Sequence, residues 1–249
     1  GVKRLRINFL LGYHIIIDAY ICTGNIKKAE YFLEKELNYL DKTIDDKCHF
    51  EENMIQKGLL YLFLGKYLKS IEIFKSVLES ESKISPRILG LLGRAYNENF
   101  DLDNALYYYY QKLDILKQSM KEQKPKIYAD IESSSLVSTY EEIAEVQRDK
   151  GLYNEALSNL KKAAKIDGAN IYEKSNLYDA LGTLSENIGL IDEAGIFYQE
   201  SYELRKDIKD DILIRNSLIN IAEILLQEGR VSEAIDHLKE AHEINNKSY

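Results

Sequence analysis

The chain predicts an all-α fold, a right-handed α-solenoid of about six helix–turn–helix repeats, and three observations carry that expectation. A small residue recurs as Ala29, Ser70, Ala105, Ala156, Ala194 and Ala234, each five positions after a turn that opens with Gly24, Gly65, Phe100, Gly151, Gly189 or Gly229. The intervals between these anchors are 41, 35, 51, 38 and 40 residues, each long enough for two helices and two turns. Twelve residues before the anchors stand Ile17, Gly58, Gly93, Ala144, Gly182 and Ala222, and four after them Leu33, Phe74, Tyr109, Leu160, Tyr198 and Leu238. Small groups on one helix and bulky ones a turn past the anchor on the next suit two helices that cross closely.

The elements follow in order from these anchors. Pro86 and Pro125 each stand where a helix can begin, because proline lacks the amide hydrogen that goes unpaired there. Ser138-Thr-Tyr-Glu141 has capping-box spacing and predicts another helix start. The 51-residue interval predicts a long second helix, roughly Asp103 to Gln123, then Lys124-Pro125-Lys126. That break makes 121–127 a candidate hinge in what is otherwise expected to be one domain over 1–249. The last helix, Ser232 to Asn245, sets Ala234, Ile235, Leu238, Ala241 and Ile244 against a charged opposite side, and it offers a surface for a homodimer through the C-terminal repeat.

Composition narrows the function classes. The 249 residues are 45% hydrophobic and 30% charged with 2 prolines, enough to bury a continuous core without long linkers. A net charge of -8 argues against direct nucleic acid contact, which needs clustered Lys and Arg. No stretch approaches the ~20 apolar residues that span a bilayer. Cys22 and Cys48 read as free thiols of a reducing compartment, so a cytoplasmic location is expected. The histidines His14, His49, His237 and His242 have no metal-ligand spacing, and no phosphate loop or nucleophile elbow can be assembled. Neither a cofactor, a metal nor an enzymatic activity is expected.

The Gly-led turns, the small anchors and the small residues twelve before them resemble the tetratricopeptide repeat (TPR). The resemblance covers nearly the whole chain in six copies, and the family's aromatic near the start of the first helix is matched by Tyr13, Tyr140 and Tyr178. Departures are the missing glycine at Phe100, Ile17 in the first copy, the absent terminal proline, and intervals longer than the usual ~34 residues. The resemblance implies that the first helix of each repeat lines an inner groove that holds a peptide or an extended protein segment.

Counting from the anchors places Arg87, Arg94, Asn97 and Glu98 on that wall in the third repeat, and Ser138, Glu141, Glu145 and Arg148 in the fourth. The fifth contributes Asn176, Asp179, Thr183, Glu186 and Asn187, and the sixth Asn216, Asn220, Glu223 and Gln227. The second repeat contributes an apolar stretch, Ile55, Leu59, Leu62 and Phe63. The candidate peptide-binding residues are therefore Arg94, Asn97, Glu141, Glu145, Arg148, Asn176, Asp179, Asn187, Asn216, Asn220 and Glu223. Asparagine amides present a donor and an acceptor to an extended backbone, and the carboxylates favour a Lys, Arg or amino end. The run Tyr107-Tyr108-Tyr109-Tyr110 cannot all enter one core, since successive helical residues diverge by ~100°. Tyr109 falls on the packing column, and the other three are expected to pack along helix seams.

The long repeats and asparagine-bearing wall also resemble the repeat domain of the peptide-sensing regulators of Gram-positive bacteria, the RRNPP family. That resemblance implies a helix-turn-helix DNA-binding domain upstream of Gly1 and a role in quorum sensing and transcription regulation. The alternative is a structural adaptor or co-chaperone. Chaperone-tail binders of the repeat family clamp a carboxylate with Lys, Arg and Asn, of which Arg87, Arg94 and Asn97 supply a part.

Overall fold

The computed structural model describes residues 27, 28, 31, 32, 34, 35, 38, 50–80, 84–122 and 125–247. Among them there are helices and turns and no strand. The helices with described bounds are α1 (Phe50–Phe63), α2 (Tyr67–Ser80), α3 (Pro86–Glu98), α4 (Leu102–Ser119) and α5 (Lys126–Asp149). They continue as α6 (Tyr153–Ala163), α7 (Ile171–Asn187), α8 (Ile191–Ile208), α9 (Asp211–Gln227) and α10 (Val231–Lys247). The fold is an all-α helical-repeat solenoid in class, with the second to sixth anchors on α2, α4, α6, α8 and α10. Ala29, Ile17, Leu33, Tyr13, Gly24, both cysteines, His14 and His49 lie outside the described residues, as does part of 121–127.

The chain divides into two units, Gly1–Tyr108 and Tyr109–Tyr249, with the boundary inside α4. In the first unit α1 packs on α2 and α2 on α3. Ser70 is fully buried and donates its Oγ hydrogen to the Gly58 carbonyl at 2.8 Å. The ring of Phe74 covers the same glycine, where a Cβ would lie 2.4 Å from the ring edge. In the second unit each helix from α5 to α10 packs on the next. Ala156, Ala194 and Ala234 are fully buried, and a Cβ on Gly182 would meet the Tyr198 ring at 2.6 Å. Small residue and bulky partner thus meet at the crossing, as the spacing predicts.

The turns between paired helices share one hydrogen-bond pattern. At Gly151 the amide donates to the Arg148 carbonyl and the next amide, of Leu152, reaches back to Gln147. The same two bonds recur at Gly65, Phe100, Gly189 and Gly229. This closure requires a left-handed residue at the turn. The four glycines have φ between 66° and 80°, and Phe100, standing in the glycine's place, is forced to 58°. Its side chain is 89% exposed, so no packing compensates for the conformation.

Three local expectations are corrected. Ser138 is not a helix start: it lies inside the 24-residue α5, where its hydroxyl donates to the Ser135 carbonyl. The capping box occurs instead at Asn170 and Glu173, which open α7 reciprocally. The surplus of the 51-residue interval falls mainly on α5, because α4 ends at Ser119 rather than Gln123. The apolar stretch of the second repeat is divided: Ile55 and Leu62 are core residues, whereas Leu59 is half-buried and Phe63 exposed. Pro86 does open α3, with Ser85 as its N-cap. In the tyrosine run Tyr109 is buried, Tyr108 stacks on Tyr96 at 5.4 Å, and the Tyr110 hydroxyl accepts from Gln147 at 3.2 Å.

Two outcomes test this account. Replacing Gly182 by Leu should lower stability by about 1–3 kcal/mol through overpacking against Tyr198; an unchanged thermal midpoint would show that the helices do not cross there. Replacing Phe100 by Gly should raise stability by roughly 0.5–1 kcal/mol, the left-handed penalty less the glycine's own entropy, in a denaturant titration.

Candidate functional site

The first helices of the later repeats, α5, α7 and α9, carry most of the expected wall residues, and the second unit brings several of them together. A pocket of about 440 Å³ opens between α5 and α7. Its floor is apolar, made by Ala144, Leu160, Ala180 and Leu184, while Glu141, Glu145, Arg148 and Asn187 stand around it. The residues share a face because 141, 145 and 148 are one turn apart on α5, as are 180, 183 and 187 on α7.

The charges in this pocket are unevenly compensated. Glu142 is paired with Lys112 at 2.7 Å, and Arg148 with Asp149 at 2.9 Å and Glu145 at 3.8 Å. Glu141 has no such partner among the described residues and is half-buried. Burial pushes its pKa up to about 7, with the neighbouring carboxylates Glu173 and Glu142 adding to the shift. A cation brought into the pocket would relieve that cost by restoring the charge's lost solvation.

Along α7 and α9 the wall residues are tied to one another. The Asn220 amide donates to Asp179 Oδ1 at 3.1 Å, and the Gln227 amide donates to Glu186 Oε1 at 2.6 Å. The same Asp179 oxygen accepts from Arg205 Nη1 at 3.0 Å, and that nitrogen also donates to Ser217 at 2.8 Å. Arg205 is only 4% exposed, so its charge depends on Asp179 for compensation. The Tyr198 hydroxyl donates to Glu186 at 3.0 Å and lies 3.2 Å from Thr183. Burial pushes this hydroxyl's pKa well above its ordinary value.

The remaining expected residues are less engaged. Asn176 is exposed on α7, and Asn216 and Glu223 are exposed on α9. In the first unit Arg94 is exposed and Asn97 half-buried on α3, and Arg87 forms an ion pair with Glu52 at 2.9 Å. Counting along first helices overlooked Arg205, Ser217 and the Tyr198 hydroxyl. A signal existed: Arg205 follows Ala194, Tyr198 and Ser201 on the packing side of α8, a place where a charge needs a partner. Among the described residues no group of His, Cys, Asp and Glu could hold a metal ion, and no helix is long and apolar enough to cross a membrane.

The raised pKa of Glu141 has a consequence for stability. The folded value lies above the unfolded one, so the folded state holds the proton more tightly. The resulting destabilisation is absent below about pH 4.5, grows up to about pH 7 and then stays constant. Glu141→Gln should therefore leave the thermal midpoint unchanged at pH 4 and raise it at pH 8. An equal effect at both values would show that Glu141 ionises normally.

Comparison with known proteins agrees with this architecture. Tetratricopeptide-repeat models match residues 173–247, 52–84 and 137–170, together more than half of the chain. No curated protein sequence matches. Among solved structures, BtubC (BKLC) from P. vanneervenii is similar over 87% of this chain and 92% of its own, at TM-score 0.71 and 16% identity. A kinesin light chain protein of Podosopora anserina with nearly identical TPR-like repeats is similar over 79% and 95%, at TM-score 0.63 and 16% identity. The apo form of RapI is similar over 80% and 71%, at TM-score 0.67 and 13% identity. At these identities the likeness is one of fold. With family models on both units and anchors buried as the repeat requires, the chain belongs to the tetratricopeptide-repeat family.

Proposed function

We propose that the face made by α5, α7 and α9 binds a peptide or an extended protein segment, and that an amino end or a Lys or Arg side chain of the ligand enters the α5–α7 pocket. The observation that carries this reading is the pocket itself: an apolar floor beneath a half-buried Glu141 whose charge has no counterpart. A desolvated carboxylate above an apolar floor suits a cation on an aliphatic stem. Asn187 and Asn176, both exposed, supply donors and acceptors for a peptide backbone.

Within this class the finer reading is the ligand-sensing domain of a peptide-responsive, quorum-sensing transcription regulator. It rests on the long repeats and on the asparagines of the first helices, the features that resemble the RRNPP family. A carboxylate-tail binder of the co-chaperone kind is the weaker reading, because Glu141, Glu142 and Glu145 would repel a ligand's carboxylate end.

The test begins with peptides recovered by mass spectrometry from a proteolysate passed over the immobilised protein, then resynthesised and titrated by calorimetry. Glu145→Gln and Asn187→Ala should each weaken binding by about 1–3 kcal/mol while leaving the thermal midpoint unchanged. Undiminished affinity in both variants would place the ligand elsewhere.

A further inference from the structure

Among the second to sixth repeats, aligned on their anchors, one breaks the pattern twice in succession. The residue after the anchor is Ile71, Leu106, Leu157 and Ile235 in the second, third, fourth and sixth repeats, and Ile71 and Leu157 are buried core. In the fifth it is Gly195. The next position faces solvent and is Glu72, Ser158 or Asp236 in three of those repeats and an exposed Tyr107 in the other. In the fifth it is Ile196, 62% exposed. An aliphatic group is thus missing where the fold expects one and present where it expects none.

Both residues open onto the same place. A pocket of about 510 Å³ lies among α8, α9 and α10, with Gly195, Ile196, Ile221, Ile224 and Leu225 forming its apolar part. It uses the second helices α8 and α10, whereas the α5–α7 pocket is flanked by first helices. The rim carries Asp192, Glu200, Glu228 and Glu233 against one arginine. That Arg230 is already shared between Glu233 at 2.6 Å and Glu228 at 2.9 Å. His237 completes the rim. The lining therefore offers an apolar floor within an acidic border.

We propose that this pocket is a second docking site, which takes a bulky apolar side chain, Leu or Phe in size, from a partner protein segment whose flanking residues are Lys or Arg. Charge complementarity selects the occupant: Asp192 and Glu200 are left for the partner's cations once Arg230 has engaged the other two carboxylates. Ile196 supplies the exposed apolar contact, and Gly195, where a Cβ would meet the Ile224 side chain at 3.3 Å, lets α8 lie close to α9 at the pocket's apolar part. The pocket shares α9 with the proposed ligand face but none of that face's residues, so a repeat protein of this kind can hold two segments at once.

The test pans a phage-displayed library of random dodecapeptides on the 249-residue protein, with counter-selection on the variant Ile196→Ser. Because position 196 is exposed, this change leaves the fold intact, and a matching thermal midpoint verifies that. Surviving peptides should carry Leu or Phe beside Lys or Arg, bind Ile196→Ser at least tenfold more weakly, and weaken further as salt rises. Gly195→Ala should reduce binding in the same direction, and Glu145→Gln on α5 should leave it unchanged. The proposal is overturned if no peptide survives counter-selection, if survivors lack basic residues, or if Glu145→Gln abolishes their binding. The last outcome would return them to the α5–α7 pocket.

Discussion

The structure depends on one contact, a small residue on the first helix of a repeat set beneath a large side chain from the second. Gly58 beneath Phe74 and Gly182 beneath Tyr198 are its clearest cases, and neither glycine has room for a Cβ. The contact fixes how near the two helices come and therefore where the next pair can stack. Where the first helix carries the buried Ala144 instead, the partner position holds the smaller, buried Leu160. The summed volume at the crossing is thus held nearly constant, as dense interior packing demands.

From this contact the proposed binding face follows. Once the pairs are set, α5, α7 and α9 lie as successive first helices, and their outward turns carry Glu141, Asp179, Asn187 and Asn220. The polar network on α7 and α9 then spends part of its hydrogen-bonding capacity on itself. Asn220 and Gln227 direct their amide hydrogens into Asp179 and Glu186, which holds two neighbouring repeats together. Arg205 reinforces the junction from below, at the expense of a buried charge that Asp179 compensates.

Much of this was legible in the amino-acid sequence, for a physical reason. A repeat states the same constraint several times, so Ala105, Ala156, Ala194 and Ala234 could be recognised as one column and are all fully buried. The turn at Phe100 was recognisable for the same reason despite its missing glycine. What escaped were features that occur once. The Ser138–Glu141 spacing imitates a helix start, yet nothing local reveals that α5 has been running since Lys126. Ile55 and Leu62 are core rather than wall, and the counting misses this because residues 59–64 are apolar throughout and do little to fix the helix's phase. Arg205 reaches the wall from a second helix, and no count along first helices can find it. Of the candidate site, the cluster of Glu141, Glu145, Arg148 and Asn187 was foreseeable; the compensation of Glu142 by Lys112 was not, because it joins α5 to α4.

Tyr198 joins the two levels of this molecule in a single side chain. Its ring is the large partner that Gly182 requires, and its hydroxyl reaches Thr183 and Glu186 on the proposed binding face. Phe74 in the second repeat fills the same role without an oxygen. The architecture thus dictates the girth of this residue and is indifferent to its tip. One atom at the para position becomes an adjustable chemical group at an otherwise invariant place, through which the face can diversify while the scaffold stays the same.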